Sequence, residues 1–326
     1  TGGSDKTTYL LSFGYMDNPG MLENTGMKRY EGRINVETEI SKFLSIGTQT
    51  YATFEQSEPG NTSFSYMFQN TPAMTPEYDG RYGVAVDGSS NNNLLATVVS
   101  TGGAYNDTRL NTTWYARLKP FKGLTIEGRF NYQTLFSESE TYSKCIDKEN
   151  FRTGDFYPGT SSDQATTSRG TTRYQNRTQA GTINYANTIG DHDFSIMLGT
   201  EQYYWMVKGF SATRTGLLDM SLPDFTAATD KMIPTVGGTA MQEYGVVSYF
   251  GRLNYSYKGR YLLEANFRRD GSSRFGPDHR WGTFPSVSAA WRVLEESFME
   301  PAKDIFSNLK LRASWGKLGN TTSGYY

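Results

Sequence analysis

"RYEGRINVETEI", running from Arg29 to Ile40, alternates without a break. Tyr30, Gly32, Ile34, Val36, Thr38 and Ile40 fall on one side, and Arg29, Glu31, Arg33, Asn35, Glu37 and Glu39 on the other. Successive side chains of a strand point to opposite faces, so this period of two predicts a strand with one apolar and one charged face. The stretches on either side behave alike. "KTTYLLSFGY" (Lys6–Tyr15) sets Tyr9, Leu11, Phe13 and Tyr15 on one face, and beyond a turn at Ser41–Lys42 the run Phe43–Glu55 does the same with Leu44, Ile46, Ala52 and Phe54.

Further pairs follow. "NTTWYARLK" and "LTIEGRFNYQTLF" are joined by "PFKG" (Pro120–Gly123), Arg173–Asn187 and Asp193–Trp205 by "TIGDH", and "GVVSYFGRLNYSY" and "YLLEANF" by "KGR". "FPSVSAAWRV", a helix-like "EESFMEPAKDIF" and "NLKLRASWG" complete about eleven strands, each of roughly ten or more residues. Tight turns alternate with long polar connections at Gln56–Leu110, Ser137–Thr172 and Met206–Tyr244. Strands of soluble sandwiches are shorter and do not segregate loop lengths in this way. Outer-membrane barrels combine short periplasmic turns with long extracellular loops, and a bilayer core needs strands of about 9–11 residues.

Composition agrees with such a sheet. The 326 residues carry a net charge of -1, which argues against a nucleic-acid partner. Tyr (23), Phe (19) and Gly (34) are plentiful, as strands and turns require. Mean hydropathy is -0.59 and no apolar run is long enough for a membrane helix, but a barrel with a polar lumen keeps its average low. Cys145 is the single cysteine, so no internal disulfide forms, and His192 and His279 are too few and too far apart for a His-based metal site. No cofactor or metal is expected.

Energetics choose between the faces. An arginine at the lipid midplane costs about 2–4 kcal/mol, so the Arg33 face is assigned to a watery lumen and the Ile34/Val36 face to lipid. The same reasoning makes Arg33, Glu37, Glu39, Arg117, Glu127, Arg129, Glu201, Arg252, Glu264, Arg268, Arg292 and Arg312 candidate lumen-lining residues. Aromatics near strand ends, among them Tyr9, Tyr15, Phe54, Phe136, Tyr204, Tyr257 and Tyr261, suit interfacial girdles. A half-buried sheet of a large soluble β protein is the alternative.

"YFGRLNYSYKGRYLLEANFRRDGSSRFGPDHRWGTFPSVSAAWRVLEESFM" followed by "LKLRASWGKLGN" closely resembles the SusC/RagA family of TonB-dependent outer-membrane transporters. "GGSDKTTYLLSFGYMDNPGM", "MKRYEGRINVETEISKFLSIG" and "NTPAMTPEYDGRYG" extend the resemblance upstream. It implies an all-β, antiparallel transmembrane barrel in the outer membrane of a Gram-negative cell. About 11 strands are present of an expected ~22, so residues 1–326 are expected to be part of a barrel domain, with the N-terminal plug and C-terminal strands missing. It further implies import of oligosaccharides or, less often, peptides, with a SusD-like surface lipoprotein, TonB (through the missing N-terminal region) and outer-membrane lipid as partners, and no covalent chemistry. A β-rich surface adhesin or glycan-binding protein without transport is the rival reading.

Within the motif, Arg269, Asp270, Arg274 and Trp281 are expected at the base of an extracellular loop, as a salt-bridged rim or as ligand contacts, with Trp281 and Phe284 re-entering at the aromatic belt. Tyr66, Tyr78, Tyr82, Tyr105, Phe156 and Tyr157 are loop aromatics that could stack on a sugar or pack loops together. Five Asn-x-Ser/Thr sequons, at Asn61, Asn106, Asn111, Asn176 and Asn320, reflect Asn/Thr-rich segments. "DGSSNNN" lacks the closing glutamate of a calcium loop, and Glu138, Glu140, Asp147 and Glu149 have no partner in the sequence that would make a glycosidase pair.

Overall fold

A computed structural model describes residues 1–60, 74–85, 93–159, 164–219, 221–230 and 233–320. Eleven long strands dominate it: β1 (Thr7–Pro19), β2 (Thr25–Ser41), β3 (Leu44–Pro59), β4 (Thr101–Leu118), β5 (Leu124–Ser143), β6 (Thr166–Ile189), β7 (His192–Thr215), β8 (Gln242–Tyr257), β9 (Tyr261–Ser272), β10 (Trp281–Arg292) and β11 (Lys310–Gly316). They form one antiparallel meander in chain order. Among the described residues β1 and β11 do not pair with each other, so the sheet has two ends.

Turn chemistry sets the meander. Ile189 pairs with His192 across Gly190 (φ 59°) and Asp191. Between β8 and β9, Lys258 (φ 53°) and Gly259 (φ 63°) both take the left-handed conformation, and Arg260 N–H donates to the Tyr257 carbonyl at 3.0 Å. Two positive φ values in succession give the hairpin turn whose twist matches that of paired strands. These turns, with those after β2 and β4, lie at one edge of the sheet, and the longer connections lie at the other.

The strands outrun the expected loops. β5 continues to Ser143 and β6 begins at Thr166, so both ends of Ser137–Thr172 are ladder rather than loop. β3 and β4 likewise claim both ends of Gln56–Leu110, which places Tyr105 within β4, and β7 runs on to Thr215. Polar side chains on both faces erase the period of two, while the backbone ladder continues regardless of what the side chains face.

Hardly any of the sheet's large apolar side chains are buried. Leu217, Ala165 and Ala228 pack under the loops together with Cys145, and Val84, Ala96 and Val98 are buried around α1 (Leu94–Ser100). On the strands, Leu11 is 68 % and Phe13 78 % exposed. Directly paired residues share a face, so following the register assigns each side chain to one side of the sheet. Ile34, Ile46, Trp114, Ile183, Ile196, Leu198, Leu253, Leu263, Phe267 and Val287 all fall on the Leu11 side, here the outer face, and all are exposed.

Aromatic rings bound that apolar surface. Near the tight turns run the contacts Phe121–Tyr185–Phe194 and Tyr257–Tyr261–Trp291. At the loop side Trp281 stacks on Tyr249, centroids 6.1 Å apart. Trp281 and Trp291 stand ten residues apart on β10, about 25 Å in height for a strand rising ~3.3 Å per residue at the ~40° tilt of barrel strands, which matches the apolar band of outer-membrane barrels. Phe284 differs from the expected belt position: it pairs with Arg268 and lies on the opposite, inner face.

One connection at the turn edge is long. Between β10 and β11 the chain makes 3-10 turns at Val293–Glu295 and Ser297–Ala302, the helix-like piece of the sequence. Glu296 holds it in place by accepting from Tyr261 Oη (2.6 Å), Trp291 Nε1 (3.0 Å) and Arg260 Nη1 (3.1 Å). The Tyr261 and Trp291 hydrogen bonds and the Arg260 charge lower its carboxyl pKa below the ordinary value. A lowered pKa contributes stability above the unfolded value, and that contribution is lost as pH falls through the folded one. Hydrogen exchange across 293–309 should therefore accelerate on acidification below about pH 4, and Glu296→Gln should abolish that pH dependence. An unchanged pH profile in the variant would remove Glu296 from this role.

Candidate functional site

The face opposite Leu11 carries the charge. Arg33, Glu37 and Glu39 on β2, Arg117 on β4, Glu127 and Arg129 on β5, Glu201 on β7, Arg252 on β8, Glu264 and Arg268 on β9, Arg292 on β10 and Arg312 on β11 all share it by register.

Two groups of side chains meet there. In the first, Arg117 donates to Glu37 and to Glu127, each at 3.0 Å, and Arg129 reaches Glu127 at 2.9 Å. Tyr115 donates to the other Glu37 oxygen at 2.6 Å. Glu37 and Tyr115 sit two strands apart with Gly47 of β3 between them, and a side chain at 47 would collide with the Tyr115 ring. The glycine lets the phenol lie across β3, so the contact spans three strands. Arg33 lies over the Tyr51 ring at 5.3 Å, and Tyr51 Oη donates to Glu31 at 3.0 Å.

The second group is built from the motif that carries the resemblance. Arg268 Nε donates to Asp270 at 2.8 Å, while its Nη2 approaches Ser248 Oγ at 3.0 Å and Glu201 at 3.4 Å. Ser248 is almost fully buried. Nearer the turns, Arg252 donates to Asn266, which in turn donates to Glu264, both at 2.8 Å. The adjacent Arg269 points the other way, its guanidinium 5.1 Å from the Trp281 ring centre. Gly271 pairs with Trp281, and a Cβ there would stand 2.9 Å from the indole. Ser273 extends the ladder by exchanging hydrogen bonds with Gly245. Arg274 covers Tyr244 at 3.7 Å. The Arg-Asp-Gly-Ser-Ser run is thus a strand end whose two arginines serve opposite faces.

Other predicted residues stay apart. Arg292 turns to Glu295 and to the Gly259 carbonyl at the turn edge, and Glu39 lies beyond the first group beside a β-bulge. Arg312 stands on the last strand. Half-exposed ion pairs are each worth about 0–1 kcal/mol, so the two groups order the wall more than they stabilise it. No local pattern in the sequence marks Tyr115, Ser248 or Gly47 as members of these groups. The period of two in "NTTWYARLK" does put Tyr115 on the Arg117 side, but its reach to Glu37 depends on a glycine on a different strand.

The loop aromatics divide. A small sheet joins Glu77–Tyr78, Arg81–Gly83, Lys148–Asn150 and Asp155–Tyr157, tying the connection after β3 to that after β5. Arg81 pairs with Glu149 at 2.7 Å and lies 5.0 Å from the Phe156 ring, and Tyr78 meets Phe151 edge-on. Tyr82 pairs with Lys148 inside this sheet, while Tyr78 and Tyr157 remain exposed. Tyr105 rises from β4 on the inner face, and Tyr66 lies outside the described residues.

The family model for "TonB dependent receptor-like, beta-barrel" matches residues 40–326. The TonB-dependent receptor P39 of Formosa agariphila is 26% identical over 339 residues, covering 99% of this chain and 30% of that protein. The TonB-dependent receptor SusC of Bacteroides thetaiotaomicron is 37% identical over 142 residues, 44% of this chain and 14% of its own length. The solved structure of the RagAB peptide transporter superposes with a TM-score of 0.79 at 21% identity, over 100% of this chain and 36% of that one, a likeness of fold. This chain spans about a third of the length of the TonB-dependent receptors P39 and P26.

Proposed function

Because the chain belongs to the TonB-dependent receptor-like β-barrel family, we propose that it forms part of the wall of an outer-membrane importer. The observation that carries this reading is the sorting of the two faces: twelve predicted charged positions on one, exposed apolar and girdle residues on the other. The charged face lines the lumen, the Leu11 face meets lipid, the tight turns are periplasmic and the long connections extracellular. Two sheet ends in a membrane call for further strands, since every backbone group in hydrocarbon needs a partner. The eleven strands are therefore part of a larger barrel, of about 22 strands in this class of transporter.

The cargo is an oligosaccharide or, alternatively, a peptide, passed along a wall of neutralised ion pairs, amides and hydroxyls that gives a hydrated molecule hydrogen bonds without a deep trap. TonB, engaged through a segment outside these strands, supplies the energy, and a SusD-like lipoprotein caps the loop edge. The exposed loop aromatics Tyr78, Phe156 and Tyr157 offer ring faces to a sugar.

Single cysteines at 33 and 34, in the assembled transporter with Cys145→Ser, test the face assignment. A membrane-impermeant thiol reagent should label Arg33→Cys on cells and spare Ile34→Cys. Equal labelling of the two overturns it.

A further inference from the structure

The outer face of β6 and β7 continues above the apolar band, and its chemistry changes there. Arg177 lies eight residues up β6 from Tyr185 of the lower aromatic row, about 20 Å along the membrane normal, and Arg173 twelve residues, about 30 Å. The apolar band is about 25 Å tall. Arg177 thus stands just below and Arg173 just above the upper edge of the band, where long cationic side chains reach the headgroups of the outer leaflet. Arg173 is paired directly with Lys208 of β7, so two like charges face each other across the ladder, an arrangement that is unfavourable without an anion.

The neighbours do not neutralise them. Higher on the same face Arg169 pairs with Glu140 and Asp224, and Arg214 with Asp230. No carboxylate among the described residues forms an ion pair with Arg173, Arg177 or Lys208, and all three are exposed. Of the acids one diagonal step away, Glu243, beside Lys208, accepts from the Tyr204 hydroxyl, and Glu138, beside Arg173, is paired in the ladder with Asn106 and Thr171. Aromatic side chains support the cluster from below: Arg177 lies over the Tyr204 ring at 4.6 Å, and Arg173 reaches the Tyr132 hydroxyl at 3.5 Å. Arginine forks suit phosphate, and a lysine adds a point charge.

We propose that Arg173, Arg177 and Lys208 form a docking site for the phosphate groups of an outer-leaflet lipid. The inference rests on the Leu11 face meeting lipid. The site holds the headgroup against the barrel wall where acyl chains cover Leu198, Ile196 and Ile183 below it, relieving the Arg173–Lys208 repulsion.

The test uses the full-length transporter in lipid nanodiscs and a phosphorylated lipid A, its dephosphorylated analogue and inorganic phosphate as probes. Native mass spectrometry should show the phosphorylated lipid retained, and the triple variant R173Q/R177Q/K208Q should bind it on the order of 100-fold more weakly. Equal retention of the dephosphorylated analogue, equal binding by the variant, or full displacement by inorganic phosphate overturns the site. A spin label at Leu198 separates the two failures. Oxygen accessibility there with no charge dependence of lipid binding removes the phosphate site alone, whereas water accessibility removes the lipid-facing assignment and the site with it.

Discussion

Leu198→Arg should lower the folding equilibrium constant of the assembled barrel roughly 30- to 700-fold, whereas Ser195→Arg should leave it nearly unchanged. Leu198 lies on the outer face, exposed, beside Ile183 and four residues from Phe194 of the lower aromatic row, near the middle of the band. A cation at that depth costs about 2–4 kcal/mol, and each 1.4 kcal/mol is a factor of ten. Ser195 lies on the inner face opposite Ala186 and Asn254, where an arginine reaches water. The measurement is the equilibrium folded fraction in phospholipid vesicles, read by heat-modifiable gel mobility across a urea series. Equal losses from the two substitutions would show that the faces do not differ in solvent.

The isolated 326-residue chain should give no steady conductance in a planar bilayer and no substrate uptake. β1 and β11 present backbone groups that the described strands do not pair, and each such group left unsatisfied in hydrocarbon costs several kcal/mol. In water the same chain meets the opposite difficulty, because the Leu11, Phe13, Ile34 and Phe267 surface favours association. Irregular current or aggregation is expected. Uniform channels from the chain alone would show that the sheet closes without further strands, and the wall-segment reading would fail.

Local patterning is enough to specify the strands that cross the apolar band, their pairing in chain order and the edge at which tight turns gather. It could do so because one face of each strand is apolar and the other polar there, so burial preference is written as a period of two. That signal placed Arg33, Glu37 and Arg268 on one side and Ile34, Val36 and Phe267 on the other. Tertiary structure alone decided where the solvent is alike on both faces. The upper halves of β5, β6 and β7 carry polar residues on both sides, so their true length shows only in the ladder, and Tyr105 moved from loop to strand. Only the folded sheet could bring Tyr115 across Gly47 to Glu37, or Glu201 to Arg268, because each contact joins strands distant in sequence through a register that no local pattern records. The same holds for Phe284, whose even place on β10 turns it inward beside Arg268 while Trp281 stays outside.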